Sequence, residues 1–205
     1  PLDSQKIMKI AVVGANAKKK MGKPLYGGSS AVVPPFEITP FEGLKRKLGR
    51  LVDFVQDPKD ADYALVITGL NHYSHMDTEN SDRKILELPA KEERIIKDTV
   101  TKNPNTIVVL ISGSPVAMDN WIANVPAVLE AWYPGMHGGD ALANIIFGDV
   151  TPSGKLPITF PKKLGDSPAH QSRRTFPGDE KVYYDEGIYV GYRHFDSKNI
   201  EPLFP

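Results

Sequence analysis

The strongest constraint on the fold is a series of four apolar segments of strand length, separated from one another by helical or polar stretches. They are 9–14 (KIAVVG), 63–69 (YALVITG), 106–113 (TIVVLISG) and 127–133 (AVLEAWY). Each is rich in β-branched or aromatic residues and ends near glycine or a polar turn. The first three are almost continuously apolar, which is typical of parallel strands covered on both faces.

Helical patterns alternate with these segments. In residues 39–49 (TPFEGLKRKLG), Thr39 is a suitable N-cap, Pro40 suits the first helical position and Gly49 is a stop signal. Residues 87–104 and 135–149 each place apolar side chains along one side of a helix. The alternation predicts an α/β fold: a doubly wound, mostly parallel sheet sandwiched by helices, with right-handed crossovers.

The character of the sequence changes after residue 150, where proline, glycine and serine become frequent. The stretch contains one short strand candidate, LPITF at 156–160. We therefore expect an α/β-sandwich domain over 1–160 and an extended segment over 161–205 that wraps back as part of the same domain.

Composition excludes several classes of protein. Lys plus Arg and Asp plus Glu both number 25, so no net charge attracts the chain to nucleic acid or to an anionic membrane. No apolar run approaches the roughly 20 residues needed to cross a bilayer. The absence of cysteine excludes disulfide and thiolate chemistry. The compartment stays undetermined, and a homo-oligomer is compatible with these observations.

In an open parallel sheet, ligands collect at the carboxyl ends of the strands. The turn after the second apolar segment carries three acids within six residues, Asp77, Glu79 and Asp82, followed by Arg83. One interpretation pairs Arg83 or Asp82 structurally and leaves Glu79 or Asp77 as a proton donor, its pKa raised by neighbouring negative charge and partial burial. The alternative is a solvated acidic loop.

Other polar residues in these turns give weaker signals. Residues 27–30 (GGSS), including Ser29, could bind sugar hydroxyls or form a plain turn. His72 and His75 lie in a loop without a third ligand in register, so we expect no metal site, and His72 either contacts a ligand or is solvated. The first turn, GANAKKKMG, matches no phosphate-binding motif, so no cofactor is expected.

Taken in order, the motifs resemble one family over nearly the whole chain. They include KIAVVGANA, GGSSAVVPP, ADYALVITGLN, DTENSDRKILELP, YPGMHGGDALA and IFGDVTPSGKLPITFP. The chain resembles the second, α/β-sandwich domain of glycoside hydrolase family 3 β-glucosidases.

The resemblance implies a site shared with an N-terminal barrel domain, outside these 205 residues, that carries an Asp nucleophile. It implies that the general acid/base comes from the loop matching residues 71–83. The family pattern is close to E-x-E-G-x-D-R, whereas this chain has Asp77 at the first acid and Asn80 at the usual glycine. Glu79 is the first choice for the acid/base because of its reach, and Asp77 is the competitor. We expect Asp82, Arg83, His72 and Ser29 to contribute to substrate binding.

The function implied by the resemblance is that of an exo-acting retaining β-glucosidase, which releases terminal non-reducing β-D-glucosyl residues from an oligosaccharide or glycoside. Alternatives are a β-xylosidase or α-L-arabinofuranosidase of the same family, or a non-catalytic sugar-binding or scaffold domain. A retaining enzyme needs two carboxyl groups roughly 5–5.5 Å apart. Because this chain is expected to hold only one of them, we expect it to be inactive alone.

Overall fold

The protein is built around a five-stranded, all-parallel sheet. The structure, a computed structural model, describes residues 1–22, 28–79 and 81–205. The strands run in the order β2-β1-β3-β4-β5, and they are β1 Lys9–Val13, β2 Asp53–Val55, β3 Tyr63–Gly69, β4 Thr106–Ile111 and β5 Ala127–Glu130. The predicted doubly wound α/β fold is confirmed.

In the part of the chain that the structure describes, three α-helices accompany this sheet: α1 Pro40–Leu48, α2 Ala90–Lys102 and α3 Gly138–Ile146. The predicted start of α1 is confirmed, because the Thr39 hydroxyl accepts the Glu42 N–H and the Glu42 carboxylate accepts the Thr39 N–H at 2.8 Å. This reciprocal capping box satisfies donors that a helix start leaves open. Gly49 ends the helix with a φ of 55°, as glycine readily does.

The two faces of the sheet bury different helices. Leu65 and Ile67 of β3 lie in the main hydrophobic cluster with Leu44 of α1 and Leu142 of α3. On the opposite face, the hydroxyl of Thr68 donates to the Glu92 carboxylate of α2 at 2.6 Å. Since successive side chains of a strand point to opposite faces, β3 is buried on both sides, and this explains its unbroken apolar sequence.

The short edge strand β2 was not predicted from the sequence. It pairs with β1 through the register Lys9 to Asp53 and Ile10 to Phe54. Three residues are too few to show a strand periodicity, so only the tertiary pairing defines it. With β2 on one side of β1 and β3 on the other, the strand order reverses between β1 and β3, which is the usual place for a ligand in such sheets.

Residues 154–205, with 85–88 and 115–120, form a second compact unit. It contains α4, Tyr192–Lys198, which the sequence did not predict. The strand expected at 156–160 is wrong: within the described ranges this stretch contains no strand, and Phe160 forms an isolated antiparallel bridge with Phe204. Whether 161–205 belongs to the same domain as 1–160 stays a prediction.

In the ranges that the structure describes, no helix is both long and apolar enough to span a bilayer.

Candidate functional site

The loops that follow β1, β3, β4 and β5 meet at the carboxyl edge of the sheet. Together they line a concavity of about 480 Å³. Its lining residues are Ser29, His72, Asp77, Thr78, Glu79, Gly113 and Tyr133. The concavity therefore lies where ligands collect in open parallel sheets, and it contains both candidate acids.

Asp77 is held in place by three donors from two other loops. Its carboxylate accepts the Gly113 N–H at 2.6 Å, the Ser114 hydroxyl at 2.5 Å and the Tyr133 hydroxyl at 2.8 Å. Gly113 and Ser114 follow β4, whereas Tyr133 follows β5. Asp77 thus connects the loop after β3 to the loops after β4 and β5 through hydrogen bonds.

Glu79, by contrast, is exposed and faces the loop after β1. Its carboxylate accepts the Ser29 N–H at 2.5 Å and the Ser29 hydroxyl at 2.8 and 2.9 Å. Gly28 has a φ of 69°, and a Cβ there would lie 2.6 Å from the Cβ of Glu79. Both the backbone conformation and the close approach require glycine next to Ser29.

The expected rise in the pKa of Glu79 is wrong for the described structure. The Ser29 N–H, and after it the Ser29 hydroxyl, hold the pKa of Glu79 below its ordinary value, because both stabilise the ionised carboxylate. That rise was expected from partial burial of Glu79 and repulsion by nearby acids. The chain instead turns so that Asp77 and Glu79 face different partners.

The other predicted site residues lie on or beside the same loop. The His72 ring stacks on Tyr133 with 4.4 Å between ring centroids, and its Nδ1 lies 2.8 Å from the Asp77 carbonyl oxygen. Arg83 donates to the Ser114 hydroxyl at 2.9 Å. The Asp82 side chain is exposed, and its carbonyl oxygen lies 3.3 Å from Nδ1 of His75.

Two of the sequence expectations concern residues that the structure does not describe. Gly27, the first residue of the GGSS turn, and Asn80, at the usual glycine of the family pattern, lie outside the described ranges. Within those ranges no group of three His, Asp or Glu side chains is arranged to hold a metal ion.

Glu130, the last residue of β5, was not predicted from the sequence as a site residue. Its carboxyl group is half-buried and accepts the Trp132 N–H at 2.9 Å and the hydroxyl of the buried Ser112 at 3.2 and 3.3 Å. Burial, with a smaller contribution from the Asp77 charge, raises the pKa of Glu130 to about 7. An acid inside the apolar run AVLEAWY was the available signal, because a carboxyl in a strand core needs partners.

Tyr133 ends the fourth apolar segment of the sequence, and its role as a hydrogen-bond donor was not predicted. Burial first, and the neighbouring Asp77 charge second, raise the pKa of its hydroxyl well above the ordinary value. It therefore stays protonated and serves as a donor to Asp77.

Comparison with known proteins supports the family suggested by the sequence. The family model described as "Glycosyl hydrolase family 3 C-terminal domain" matches residues 1–192. The chain is 35% identical to "Beta-glucosidase BoGH3A" of Bacteroides ovatus over 100% of this chain and 31% of that protein. It is 38% identical to "Thermostable beta-glucosidase B" of Acetivibrio thermocellus over 96% of this chain and 28% of that protein.

Solved structures agree with these sequence matches. The GH3 β-glucosidase of Bifidobacterium adolescentis superposes with a TM-score of 0.85 at 33% identity, covering 100% of this chain and 32% of that one. A β-glucosidase of Kluyveromyces marxianus reaches a TM-score of 0.89 at 21% identity, over 100% of this chain and 43% of that one, and it supports the fold alone.

The chain thus spans about a third of the length of these relatives. Its sequence match, however, extends over almost every element of the fold described above. The chain belongs to the glycosyl hydrolase family 3 C-terminal domain family.

Proposed function

We propose that this chain is the acid/base-bearing domain of a retaining β-glucosidase and that Glu79 is the acid/base. The observation that carries the proposal is the position of Glu79: an exposed carboxylate at the rim of the concavity formed at the carboxyl edge of the sheet. The relatives named as β-glucosidases support the choice of reaction. Their greater length supports a second domain that supplies the nucleophile.

The hydrogen bonds favour Glu79 over Asp77 for this role. An acid/base group must release its contacts and reach the glycosidic oxygen. Asp77 is held by three donors from the loops after β4 and β5, and it would have to leave them to reach a glycosidic oxygen. Among the hydrogen bonds described for its carboxylate, Glu79 contacts Ser29 alone, and its side chain is longer than that of Asp77 and exposed.

The mechanism uses Glu79 twice. An Asp on the barrel domain attacks the anomeric carbon while Glu79 protonates the departing oxygen, and Glu79 then removes a proton from the water that hydrolyses the glycosyl-enzyme. The Ser29 contacts favour the carboxylate needed in the second step. For the first step, a bound sugar and the barrel would desolvate Glu79 and bring the nucleophile's charge close, and both effects raise a carboxyl pKa.

The remaining predicted residues fit the proposed sugar site. His72 and Tyr133 present neighbouring rings at the concavity, where flat surfaces suit the C–H faces of a pyranose. Ser29 can exchange its bond to Glu79 for a sugar hydroxyl. Asp82 and Arg83 contribute polar groups on the same loop.

The test is Glu79→Gln in the full-length protein. We expect kcat/KM to fall about 10²–10⁴-fold for an alkyl or unactivated aryl β-glucoside, the usual contribution of general acid catalysis. The fall should be much smaller for a dinitrophenyl β-glucoside, whose leaving group needs little protonation. Azide should accelerate Glu79→Ala on the dinitrophenyl substrate and yield β-glucosyl azide, because azide attacks without a general base.

Asp82→Asn is the matched control, since it removes an exposed carboxylate three residues along the same loop. If Asp82 only contacts the substrate, Asp82→Asn should lower kcat/KM for both substrates by a similar factor, and azide should not restore activity. Equal slowing of both substrates by Glu79→Gln would refute the assignment of Glu79. If the wild type hydrolyses an aryl β-xyloside or α-L-arabinofuranoside faster than the aryl β-glucoside, glucose is the wrong sugar and one of these two takes its place.

A further inference from the structure

We propose that Glu130 is a positioning residue for Glu79, acting through the turn at Trp132–Tyr133 and through Asp77. The inference rests on the proposed function of Glu79. Glu130 lies at the carboxyl end of β5, and three links connect it to the proposed acid/base.

The first link is the turn that follows β5. Trp132 has a φ of 51°, a left-handed conformation that is unfavourable for a residue with a bulky side chain. Glu130 accepts the Trp132 N–H at 2.9 Å and so stabilises this turn from within. The Glu130 carboxyl is itself fixed by the hydroxyl of Ser112, which is completely buried.

The second link is the hydroxyl of Tyr133. The left-handed residue before it redirects the chain, so that the Tyr133 hydroxyl donates to Asp77 at 2.8 Å. The Tyr133 ring also packs on His72, near the start of the same loop. Tyr133 therefore contacts the loop after β3 at two points.

The third link is the short distance along the chain from Asp77 to Glu79. The Asp77 N–H bonds the Asn71 carbonyl oxygen at 2.9 Å, and the Thr78 N–H bonds the Met76 carbonyl oxygen at 3.0 Å. These bonds make a compact loop whose anchored end lies two residues before Glu79. Movement of Asp77 would consequently move the acid/base, and an error of about 1 Å can cost on the order of 10²-fold in rate.

The experiment compares four variants of the full-length protein: Glu130→Ala, Glu130→Gln, Tyr133→Phe and Glu92→Ala. Glu130→Ala and Tyr133→Phe each remove one link. Glu130→Gln keeps an acceptor oxygen for the Trp132 N–H. Glu92→Ala is the matched control, since it removes a different carboxylate, that of the buried Glu92, which accepts the hydroxyl of Thr68 in β3.

We expect Glu130→Ala and Tyr133→Phe to lower kcat/KM for the unactivated β-glucoside about 10–100-fold and to lower it far less for the dinitrophenyl β-glucoside. Glu130→Gln should keep most of the wild-type kcat/KM for the unactivated β-glucoside. Glu92→Ala should change kcat/KM for the two substrates by the same factor. Amide hydrogen exchange over 71–79 should accelerate in Glu130→Ala and Tyr133→Phe only.

Equal effects on both substrates, or unchanged exchange over 71–79, would overturn the positioning role. Should Glu130→Ala fail to fold, Tyr133→Phe still decides, because it removes a single hydroxyl. The parallel Glu79→Gln assay separates the two proposals: if that variant retains full activity, the proposed function fails, whereas the exchange data still report whether Glu130 and Tyr133 fix the loop.

Discussion

Asp77 and Glu79 show how two carboxylates on one loop acquire different hydrogen-bond partners. Asp77 accepts three donors from the loops after β4 and β5. Glu79 meets only the donors of Ser29 among its described hydrogen bonds and stays exposed. From the sequence alone, either Asp77 or Glu79 could be the proton donor. The choice between them depends on partners that lie 36 to 56 positions away from Asp77.

At the same scale, the raised pKa of Glu130 predicts that the free energy of unfolding depends on pH. Its pKa is raised from 4.5 to about 7 in the folded protein, so the folded state binds this proton more tightly than the unfolded state. The stabilisation is fully present below about pH 4.5 and is lost as pH rises through about 7. At roughly 1.36 kcal/mol per pKa unit, the loss is on the order of 3 kcal/mol.

Denaturant unfolding of the wild type and of Glu130→Gln across this pH range would measure the effect. Glutamine carries no proton to lose, so the free energy of unfolding of the variant should rise relative to the wild type between about pH 4.5 and 7. Parallel pH dependences for the two proteins would show that Glu130 does not titrate in this range.

At the scale of elements, the crossing of α1 and α3 depends on two glycines. A Cβ on Gly43 of α1 would lie 2.6 Å from the Asp140 N and would overlap the Gly139 carbonyl group. A Cβ on Gly139 would in turn overlap the Thr39 carbonyl oxygen. The two helices therefore meet backbone to backbone, and this contact sets the spacing of the layer that covers β1, β3 and β4.

We predict that Gly43→Ala destabilises the protein by about 1–3 kcal/mol, since the added methyl group must push the helices apart and this strain outweighs the better helix propensity of alanine. Chemical denaturation measures the change. Gly154→Ala is the control because a Cβ there meets no atom within 4 Å, and it should change the free energy of unfolding by less than about 0.5 kcal/mol. Equal stabilities of the two variants would contradict the close packing.

At the scale of the whole molecule, the proposed reaction needs two carboxylates, and we assign one of them to this chain. We therefore predict that residues 1–205 produced alone hydrolyse no aryl β-glucoside above background, whereas the full-length protein does. Circular dichroism should confirm that the isolated chain is folded. Turnover by a folded, purified fragment would mean that both carboxylates lie within these residues.

The sequence alone determined the layers of this protein. Strands such as β3 and helices such as α1 are specified by local chemistry: unbroken apolar runs, a Thr39–Glu42 capping box and a terminal Gly49. The family motifs also located the loop that carries the proposed acid/base. The edge strand β2 and the helix α4 were missed, because a strand of three residues and a helix of seven show little periodicity.

Only the tertiary structure decided which polar groups meet. The anchoring of Asp77 by Tyr133 and the lowered pKa of Glu79 beside Ser29 arise from contacts between loops that follow different strands, whereas burial is the main cause of the raised pKa of Glu130. Burial and hydrogen bonding between residues distant in sequence set these properties, and the local sequence does not specify which groups provide them.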